Sequence, residues 1–495
     1  AKSPHNPIHV RMHRIMHLVG SQSSGFLRIS TCSTANLSHG SMLYFSMTEA
    51  TVSTQAIING TILTMDRQWT VHDRGMIIIE GDTISEIGPY CPDRLETLRI
   101  PLDTCIDARG GIVIPGLVNT HTHIGMSLFR SLADDRPNRL LEVIFPLERS
   151  QVNPKLVHIA SLHSLAEMIG GGTTCFADMY YHAKETALAA RQSGIRGIVG
   201  QAVASKGGPD AKDFPEAVQL VGNLQELLQD DRLLAPAIAP HAPYSLSESE
   251  LEYCAAFSET HNMAILSHLA EMPFEESYVQ EHYGVRPIAF YDRCGLLGPR
   301  STMAHCIFAS PDECKLLIDT HTGIAHNPSA NSKSGKGIAP AHALYQAGAR
   351  IGLGTDGPMS GNTMDMIHQL GITAKMQKVL LKDPTVMTPR QVLRCATIGG
   401  AEALHLERIT GSIEIGKRAD IVVVGTDSPA MFPVYDPYAA LVYSACPTDV
   451  MLTMVDGKVL MRDRELMTLD ARSIRKEAQG IVDSVRARFS HLWES

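Results

Sequence analysis

From residue 112 onward, short apolar runs alternate with amphipathic stretches along the chain. The apolar runs have the length and β-branched content of buried strands. In chain order they read IVIPGLVNTHTH, GTTCFADMY, IRGIVGQAV, LLAPAIAPHAPYS, MAILSHLAE, STMAHCIFA, GIAHNPSAN and ARIGLGTDG. Stretches between them, such as KLVHIASLHSLAEMIGG and KETALAARQSG, have the spacing of amphipathic helices. Eight strand–helix units in succession predict an α/β fold of the (β/α)8, TIM-barrel type.

Segments rich in β-formers flank this region on both sides. QAIINGTILTMD and RGMIIIEGDTISEIG precede it, and GSIEIGKRADIVVVG and DVMLTMVDGKVLMRD follow it. Their Asn-Gly and Gly-Asp turns indicate hairpins, and we predict that both flanks combine into one small β-sandwich domain. A C-terminal helix is predicted after the N-cap Asp470. Its apolar face contains Ile474, Ala478, Ile481, Val485 and Phe489.

These patterns predict five segments along the chain. They are an N-terminal extension (1–46), the first part of the small β domain (47–113), the catalytic barrel (114–409), the second part of the β domain (410–465) and the C-terminal helix (466–495). The extension carries arginines and serines but no acidic residue, as organelle transit peptides do. The alternative that we favour is an appended segment before a start at Met47. In either case we expect little packed structure there.

Composition narrows the class of protein and its partners. The chain has 495 residues, of which 44% are hydrophobic and 19% charged, so it can bury a large core. Its net charge of −9 disfavours nucleic acid as a partner. No apolar run is long enough to span a bilayer, so no membrane association is expected. The ten cysteines are scattered, which favours reduced thiols and a cytoplasmic location.

Titratable side chains stand at the ends of the predicted barrel strands, where barrel enzymes carry out their chemistry. His121 and His123 are separated by one residue, so they point to the same side of the first strand. Later strands end near His241, His268, Glu271, His305 and Asp356. One histidine at a strand end is usually an ordinary polar residue. Independent accidents seldom converge on one barrel mouth, so together these residues predict a reactive site.

The residue types predict a metal at this site. His121, His123, His268 and Asp356 offer nitrogen and oxygen ligands that suit one divalent ion, Zn²⁺ or Fe²⁺. Such an ion lowers the pKa of a bound water from about 15.7 to about 7. Glu271 is placed to accept the proton of that water and pass it to the substrate. His305 is placed to polarise or hydrogen-bond the group under attack.

Several motifs resemble the amidohydrolase superfamily in its mononuclear deaminase branch. They are PGLVNTHTH, HLAE, MAHC, LGTDG and GSIEIGKRADIVVV, and the resemblance extends from Gln55 to about Met461. A narrower resemblance is to adenosine-type deaminases that act on 5′-methylthioadenosine and S-adenosylhomocysteine. The motifs that carry it are HTHIGMSLFRSLADD, GTTCFADMYY, APHAPYS and HNPSANSKSGKGIAP.

The resemblance implies a role for each candidate residue. The family's metal ligands correspond to His121, His123, His268 and Asp356. Its acid/base residues correspond to Glu271 and His305, while Asp356 also handles the attacking hydroxide. Glu148, in FPLE, matches a glutamate that binds the ribose hydroxyls, and His241 matches a histidine that lines the nucleoside pocket. The superfamily resemblance is also compatible with a homo-oligomer.

Two departures from the family pattern bear on the substrate. Arg139 stands where family members usually carry a tryptophan, and the loop SKGGPDAKDFPEA offers Lys206 and Lys212 where an arginine often binds a carboxylate. Lysine lacks the bidentate fork of arginine. Three hypotheses remain open, and we prefer a hydrolytic deaminase of a 6-aminopurine nucleoside that releases ammonia. The others are a hydrolase or deaminase of another N-heterocycle (a triazine, pterin or guanine) and a non-catalytic scaffold, for which a missing ligand would be the mark.

Overall fold

The computed structural model describes residues 53–136 and 138–490. The predicted extension, residues 1–46, lies outside the described residues. The strands are β1 Thr54–Leu63, β2 Val71–Glu80, β3 Thr83–Pro89, β4 Ile106–Asp107, β5 Ile112–Pro115, β6 Leu117–Thr122, β7 Thr173–Tyr180, β8 Arg196–Val203, β9 Leu234–Pro240, β10 Ala264–Leu269, β11 Ser301–His305, β12 Gly323–His326, β13 Arg350–Leu353, β14 Ile421–Val424, β15 Val450–Val455, β16 Lys458–Arg462 and β17 Glu465–Leu466.

Helices connect most of the strands from β6 onward. The α-helices are α1 Pro92–Thr97, α2 Phe145–Gln151, α3 Pro154–Gly170, α4 Ala183–Ser193, α5 Phe214–Leu228, α6 Glu248–His261, α7 Pro273–Tyr283, α8 Pro287–Arg293, α9 Pro311–Asp319, α10 Pro328–Lys333, α11 Ala341–Gln346, α12 Met366–Leu381, α13 Pro389–Ala396, α14 Ile398–Ala403, α15 Pro437–Tyr443 and α16 Ala471–Arg488. Short 3-10 helices cover Leu102–Thr104, Ile124–Phe129 and Pro447–Asp449, and a π-helix covers Leu140–Ile144. In the described part of the chain, none of these helices has the length and apolar content needed to cross a membrane.

The strands β6 to β13 form a parallel sheet of eight strands in sequential order. The last strand returns to the first, since the amide of Asp356 donates to the carbonyl of His121 at 3.0 Å. One buried cluster combines small strand residues, such as Ala177 and Ala237, with larger ones, such as Ile198 and Leu266. A second, larger cluster joins strands to helices, for example through Val199 of β8 and Val221 of α5. The predicted TIM-type barrel is confirmed.

A second sheet combines the segments before and after the barrel. Its strand order is β17-β16-β15-β14-β5-β1-β2-β3, with β4 beside β1. One buried cluster holds Ile57 and Ile79 from the first segment together with Ile421 and Leu452 from the second. The two flanks therefore share a core, and the predicted small β domain is confirmed.

The apolar run IVIPGLVNTHTH contains two strands rather than one. Its first part is β5, which pairs with β1 and β14 in the small sheet, and its second part is β6 of the barrel. The chain changes sheet at Gly116, where a Cβ atom would lie 1.8 Å from Oγ1 of Thr174. Only glycine lets the main chain pass this close to β7, so the junction depends on a contact that periodicity does not reveal.

The C-terminal helix α16 begins where the sequence predicts it. Asp470 caps it by accepting from the amides of Arg472 and Ser473 at 3.0 and 3.1 Å. Val485 of α16 packs in one cluster with Leu156 of α3 and Leu147 of α2. The helix therefore supports the segment that carries Glu148.

A buried ion pair joins the barrel to the small sheet. Arg196, at the start of β8, contacts Asp420 through Nε at 2.7 Å and Nη2 at 3.1 Å, and it contacts Asp456 at 3.1 Å. The side chains of Arg196 and Asp420 are 5% and 0% exposed. Removing the guanidinium leaves the Asp420 carboxylate buried without its partner, which is much costlier than losing a surface ion pair.

We expect Arg196→Met to lower the free energy of unfolding by about 3–5 kcal/mol, measured by urea denaturation. The matched control is Lys315→Met, which removes an exposed ion pair with Asp319 on α9 and should cost about 0–1 kcal/mol. Equal losses in the two variants would show that the Arg196 ion pair does not hold the two sheets together.

Candidate active site

The structure brings the four predicted ligands together at the carboxyl end of the barrel. His121 is the penultimate residue of β6, and His123 directly follows that strand. His268 is the penultimate residue of β10, and Asp356 lies three residues beyond β13. Ligand atoms of His121, His123 and Asp356 lie within 4.8 Å of one another, although the residues come from opposite ends of the barrel sequence.

Main-chain carbonyls orient two of these imidazole rings. Nδ1 of His123 donates to the carbonyl of Met179 at 2.6 Å, and Nδ1 of His268 donates to the carbonyl of His241 at 2.8 Å. Both Nε2 atoms therefore face the centre of the cluster, where they are 3.2 Å apart. Nε2 of His121 is also buried and has no hydrogen-bond partner among the described residues. Three ring nitrogens directed at one point favour a cation there.

The distances in the cluster fit a small divalent metal. The Asp356 Oδ1 atom lies 3.3 Å from Nε2 of His123 and 3.6 Å from Nε2 of His121. Two ligands at 2.0–2.2 Å from a tetrahedral metal are about 3.3–3.6 Å apart. Burial opposes a charge on His123, but the Asp356 carboxylate outweighs burial and raises the pKa of His123 to about 9. Positive charge is thus favoured at the point where a metal would bind.

Glu271 and His305 lie beside this cluster. Nε2 of His305, the last residue of β11, is 3.4 Å from Oε1 of Glu271. Nδ1 of His305 donates to Oδ1 of Asn331 at 2.8 Å, and the Lys336 ammonium also pairs with Oε1 of Glu271. Burial would raise the pKa of Glu271, but His305 and Lys336 lower it to about 2. Glu271 is therefore a carboxylate near neutral pH, as an acceptor of a proton must be.

Strained backbone coincides with these residues. Ala270, His305 and Asp356 have φ angles of 50°, 74° and 60°. These angles lie in the left-handed region, which residues other than glycine seldom adopt. Such conformations cost about 1–3 kcal/mol each and persist where the surrounding structure imposes them. Positive φ angles also occur at non-glycine residues far from the site, such as Asn59 and Lys382, so the side chains at the barrel mouth identify the site and the strain does not.

A cavity of about 480 Å³ opens above the cluster. His123, His268, Asp356 and Glu271 line it, and so do Glu148 and His241. Burial raises the pKa of Glu148 to about 7, and burial lowers the pKa of His241 to about 4. His241 is therefore a neutral ring beside the cavity, while Glu148 can hold or release a proton close to neutral pH.

The cavity also contains residues that sequence reasoning did not identify. Lys336, Tyr180, Tyr181 and Tyr244 line it. Lys336 lies in the polar loop after β12, in the quoted stretch HNPSANSKSGKGIAP, where a lysine between glycines at a barrel mouth was a usable signal.

The two departures noted in the sequence have different outcomes. Arg139 lines the cavity, where its guanidinium pairs with Asp134 at 2.8 Å and donates to the carbonyl of Leu132 at 2.9 Å. Lys206 and Lys212 are not among the residues that line it. The loop before β9 thus supplies neither of its lysines to this cavity.

Comparison with known proteins identifies the family. The amidohydrolase family pattern matches residues 112–460, most of the chain. The chain belongs to the amidohydrolase family. The 5-methylthioadenosine/S-adenosylhomocysteine deaminase of Syntrophobacter fumaroxidans is 35% identical to this amidohydrolase over 432 residues, 87% of this chain and 98% of that protein. The 5′-deoxyadenosine deaminase of Methanosarcina acetivorans is 35% identical over 439 residues, with the same coverage of 87% and 98%.

A solved structure has the same architecture. The zinc-bound adenosine deaminase of Xanthomonas campestris superimposes on this amidohydrolase with a TM-score of 0.84. The two sequences are 30% identical, and the match covers 88% of this chain and 98% of the other. The likeness extends across both the barrel and the small sheet.

We expect wild-type protein to hold about one divalent metal per chain and the variants His268→Ala and Asp356→Ala to lose it, because each removes a ligand atom of the cluster. Elemental analysis of purified protein measures this. His241→Asn is the matched control, because it changes a neighbouring cavity side chain but keeps the carbonyl that orients His268. Full metal content in both ligand variants would contradict the ligand assignment.

Proposed function

We propose that this amidohydrolase is a metal-dependent deaminase of a 6-aminopurine nucleoside of the adenosine, 5′-methylthioadenosine or S-adenosylhomocysteine type. It replaces the 6-amino group by an oxo group and releases ammonia. The observation that carries the proposal is the position of Glu271 and His305 beside the ligand cluster, at the base of a cavity that Glu148 also lines. The names of the two 35%-identical relatives support a nucleoside over another N-heterocycle.

His121, His123, His268 and Asp356 would hold the metal, and zinc suits this mixture of imidazole and carboxylate ligands. Zinc in the Xanthomonas campestris structure supports the same choice. When bound, the metal supplies Lewis acidity that brings the pKa of a water from about 15.7 to about 7. The remaining chemistry belongs to the side chains around it.

Glu271 moves the proton that the reaction requires. Addition of water to the carbon that bears the amino group releases one proton, while the adjacent ring nitrogen gains one. The Glu271 carboxylate accepts the first and then donates it to the ring, so the charge on Glu271 is restored. The C–N bond then breaks as the new hydroxyl becomes the oxo group, and the proton of that hydroxyl passes to the departing amino group, so the second product is ammonia. His305, held by Asn331, directs Nε2 toward the same reacting centre.

Glu148 and His241 contribute recognition of the substrate. Glu148 is buried in the cavity wall, so its carboxylate can accept hydrogen bonds from a pair of ribose hydroxyls without competition from bulk water. His241 is neutral and lies against Phe145 and Tyr244, with ring centres 6.0 Å away from each. These aromatic groups provide an apolar wall for a flat heterocycle.

We also propose that the protein is cytoplasmic and that its partner is a small-molecule substrate. Six of the nine cysteines in the described part of the chain are buried, and all nine are free thiols. Free thiols persist in reducing compartments, which supports the cytoplasm.

The test of the proposed reaction is ammonia release by zinc-loaded protein from adenosine, its 5′-thio derivatives, guanine, pterins and triazines. We expect the nucleosides to be the better substrates. Glu271→Gln should retain metal but lose about 10²–10⁴-fold in kcat, because the amide cannot carry the proton. Turnover of triazines or pterins but not nucleosides would favour the alternative heterocycle hydrolase. Near-normal turnover by Glu271→Gln would exclude Glu271 as the proton carrier.

We expect Glu148→Ala to lower kcat/KM for a riboside by roughly 5–150-fold. The ribose hydroxyls lose their acceptor in a closed site, which costs about 1–3 kcal/mol of binding free energy. The matched substrate is the 2′,3′-dideoxy analogue, which cannot make these hydrogen bonds and should be affected far less. Steady-state kinetics with both substrates decide the point. Equal effects on the two would show that Glu148 does not recognise the diol.

A further inference from the structure

Lys336 contacts Glu271, the residue that is proposed to carry the proton. Its ammonium forms an ion pair with Oε1 of Glu271, and Nε2 of His305 lies 3.4 Å from the same oxygen. Both contacts are made to this one oxygen of the carboxylate. Glu271 lines the cavity. The two oxygens of this carboxylate are therefore inequivalent before any substrate binds.

The loop after α10 delivers Lys336 to this position. The amide of Lys336 donates to the carbonyl of Asn331 at 3.0 Å, and Asn331 also accepts from Nδ1 of His305 through its side chain. Gly335 and Gly337 on either side have φ angles of 62° and 127°, which other residues rarely adopt. Asn331 thus connects both groups that face Oε1 of Glu271.

The ion pair is largely shielded from solvent, unlike most lysine–glutamate contacts. The side chains of Lys336 and Glu271 are 16% and 10% exposed. Burial alone would discharge both groups, yet Glu271 keeps the pKa of Lys336 above its usual value, and Lys336 helps to keep the pKa of Glu271 low. Burying the long, flexible side chain of a lysine is costly. The position of Lys336 beside Glu271 therefore indicates that it has a function at this site.

We propose that Lys336 is a positioning residue for proton transfer: through its ion pair with Oε1 it holds the Glu271 carboxylate in the orientation in which that carboxylate exchanges the proton between water and substrate. The inference rests on the proposed function. One proton passes from water to the Glu271 carboxylate and from that carboxylate to the ring nitrogen, while Lys336 neither gains nor loses one. Fixing one oxygen removes rotation of the carboxylate from the reaction, and the nearby cation makes the protonated carboxyl a stronger acid toward a weakly basic ring nitrogen.

Other charged or titratable groups also influence Glu271. They are His305 after β11, Asp356 after β13, Glu275 of α7, and His241 and Tyr244 after β9. Asp356 raises the pKa of Glu271, whereas His305 and Lys336 lower it. Removing Lys336 alone should therefore raise the pKa of Glu271. Because the carboxylate form is the active one and is lost as the pH falls through that pKa, the acidic limb of the kcat profile should move to higher pH.

A double-mutant cycle tests the inference. We expect Lys336→Met to lower kcat by about 10–100-fold, the usual cost of losing a group that orients a catalytic residue, with KM changed less than about threefold. Lys336→Arg should recover most of the activity, because it keeps the positive charge. In a Glu271→Gln background, Lys336→Met should have almost no further effect on kcat, because there is no longer a proton carrier to position.

Lys333→Met is the matched control. Lys333 is the last residue of α10, three residues before Lys336, but it pairs with Asp134 at 2.7 Å rather than with Glu271. Any loss that Lys333→Met causes should therefore be the same in both backgrounds. A loss from Lys336→Met that persists in full in the Glu271→Gln background would overturn the inference. A kcat of the Lys336→Met single variant within threefold of wild type would also overturn it.

Failure of the proposed function is a separate outcome, seen as absent ammonia release from nucleosides by wild-type protein. The cycle is then measured with whichever heterocycle the protein does turn over. A crystal structure of Lys336→Met adds a readout that does not depend on activity. We expect the Glu271 carboxylate to leave its wild-type orientation in that variant, and an unchanged orientation would contradict a positioning role.

Discussion

The convergence of His121, His123, His268 and Asp356 at the barrel mouth constrains the structure around it. Three imidazole nitrogens and a carboxylate oxygen cannot converge unless each ring is fixed from behind, and main-chain carbonyls of Met179 and His241 provide that support for two of them. Each carbonyl belongs to the strand, or directly follows the strand, that pairs with the strand of its ring: β7 lies beside β6, and β9 lies beside β10. The register of the sheet therefore sets the direction of the rings. The strained φ angles of His305 and Asp356 follow from the same requirement.

The remaining architecture keeps this end of the barrel rigid. The small sheet is joined to the other end of the barrel, at the start of β8, through the ion pair of Arg196 with Asp420. Helix α16 packs against α3 and α2, and so it supports Glu148 on the cavity wall. Elements far apart in the chain thus converge on the same structural task, which is to hold a small number of side chains in fixed positions around a polar cavity.

Charge is distributed unevenly within that cavity. The ligand cluster favours a cation, the neutral ring of His241 stands beside it, and Glu271 carries its negative charge between His305 and Lys336. Pairs of titratable groups whose environments push their pKa values apart are typical of acid–base chemistry. Here Glu271, with a pKa of about 2, is the carboxyl group proposed to carry the proton, whereas Glu148, whose pKa burial raises to about 7, is proposed to bind the ribose hydroxyls.

The sequence by itself determined the barrel, because eight apolar runs separated by helical stretches leave few other arrangements, and it determined which strand ends carry histidine and acidic side chains. It also located the N-cap Asp470, whose hydrogen bonds are local. The tertiary structure alone decided the switch of sheets at Gly116, since that depends on a contact with Thr174 from a later strand. It alone paired Lys336 with Glu271, which lie 65 residues apart. Local patterns report a residue's own secondary structure, whereas the partner of a buried charge is set by how distant loops meet above the barrel.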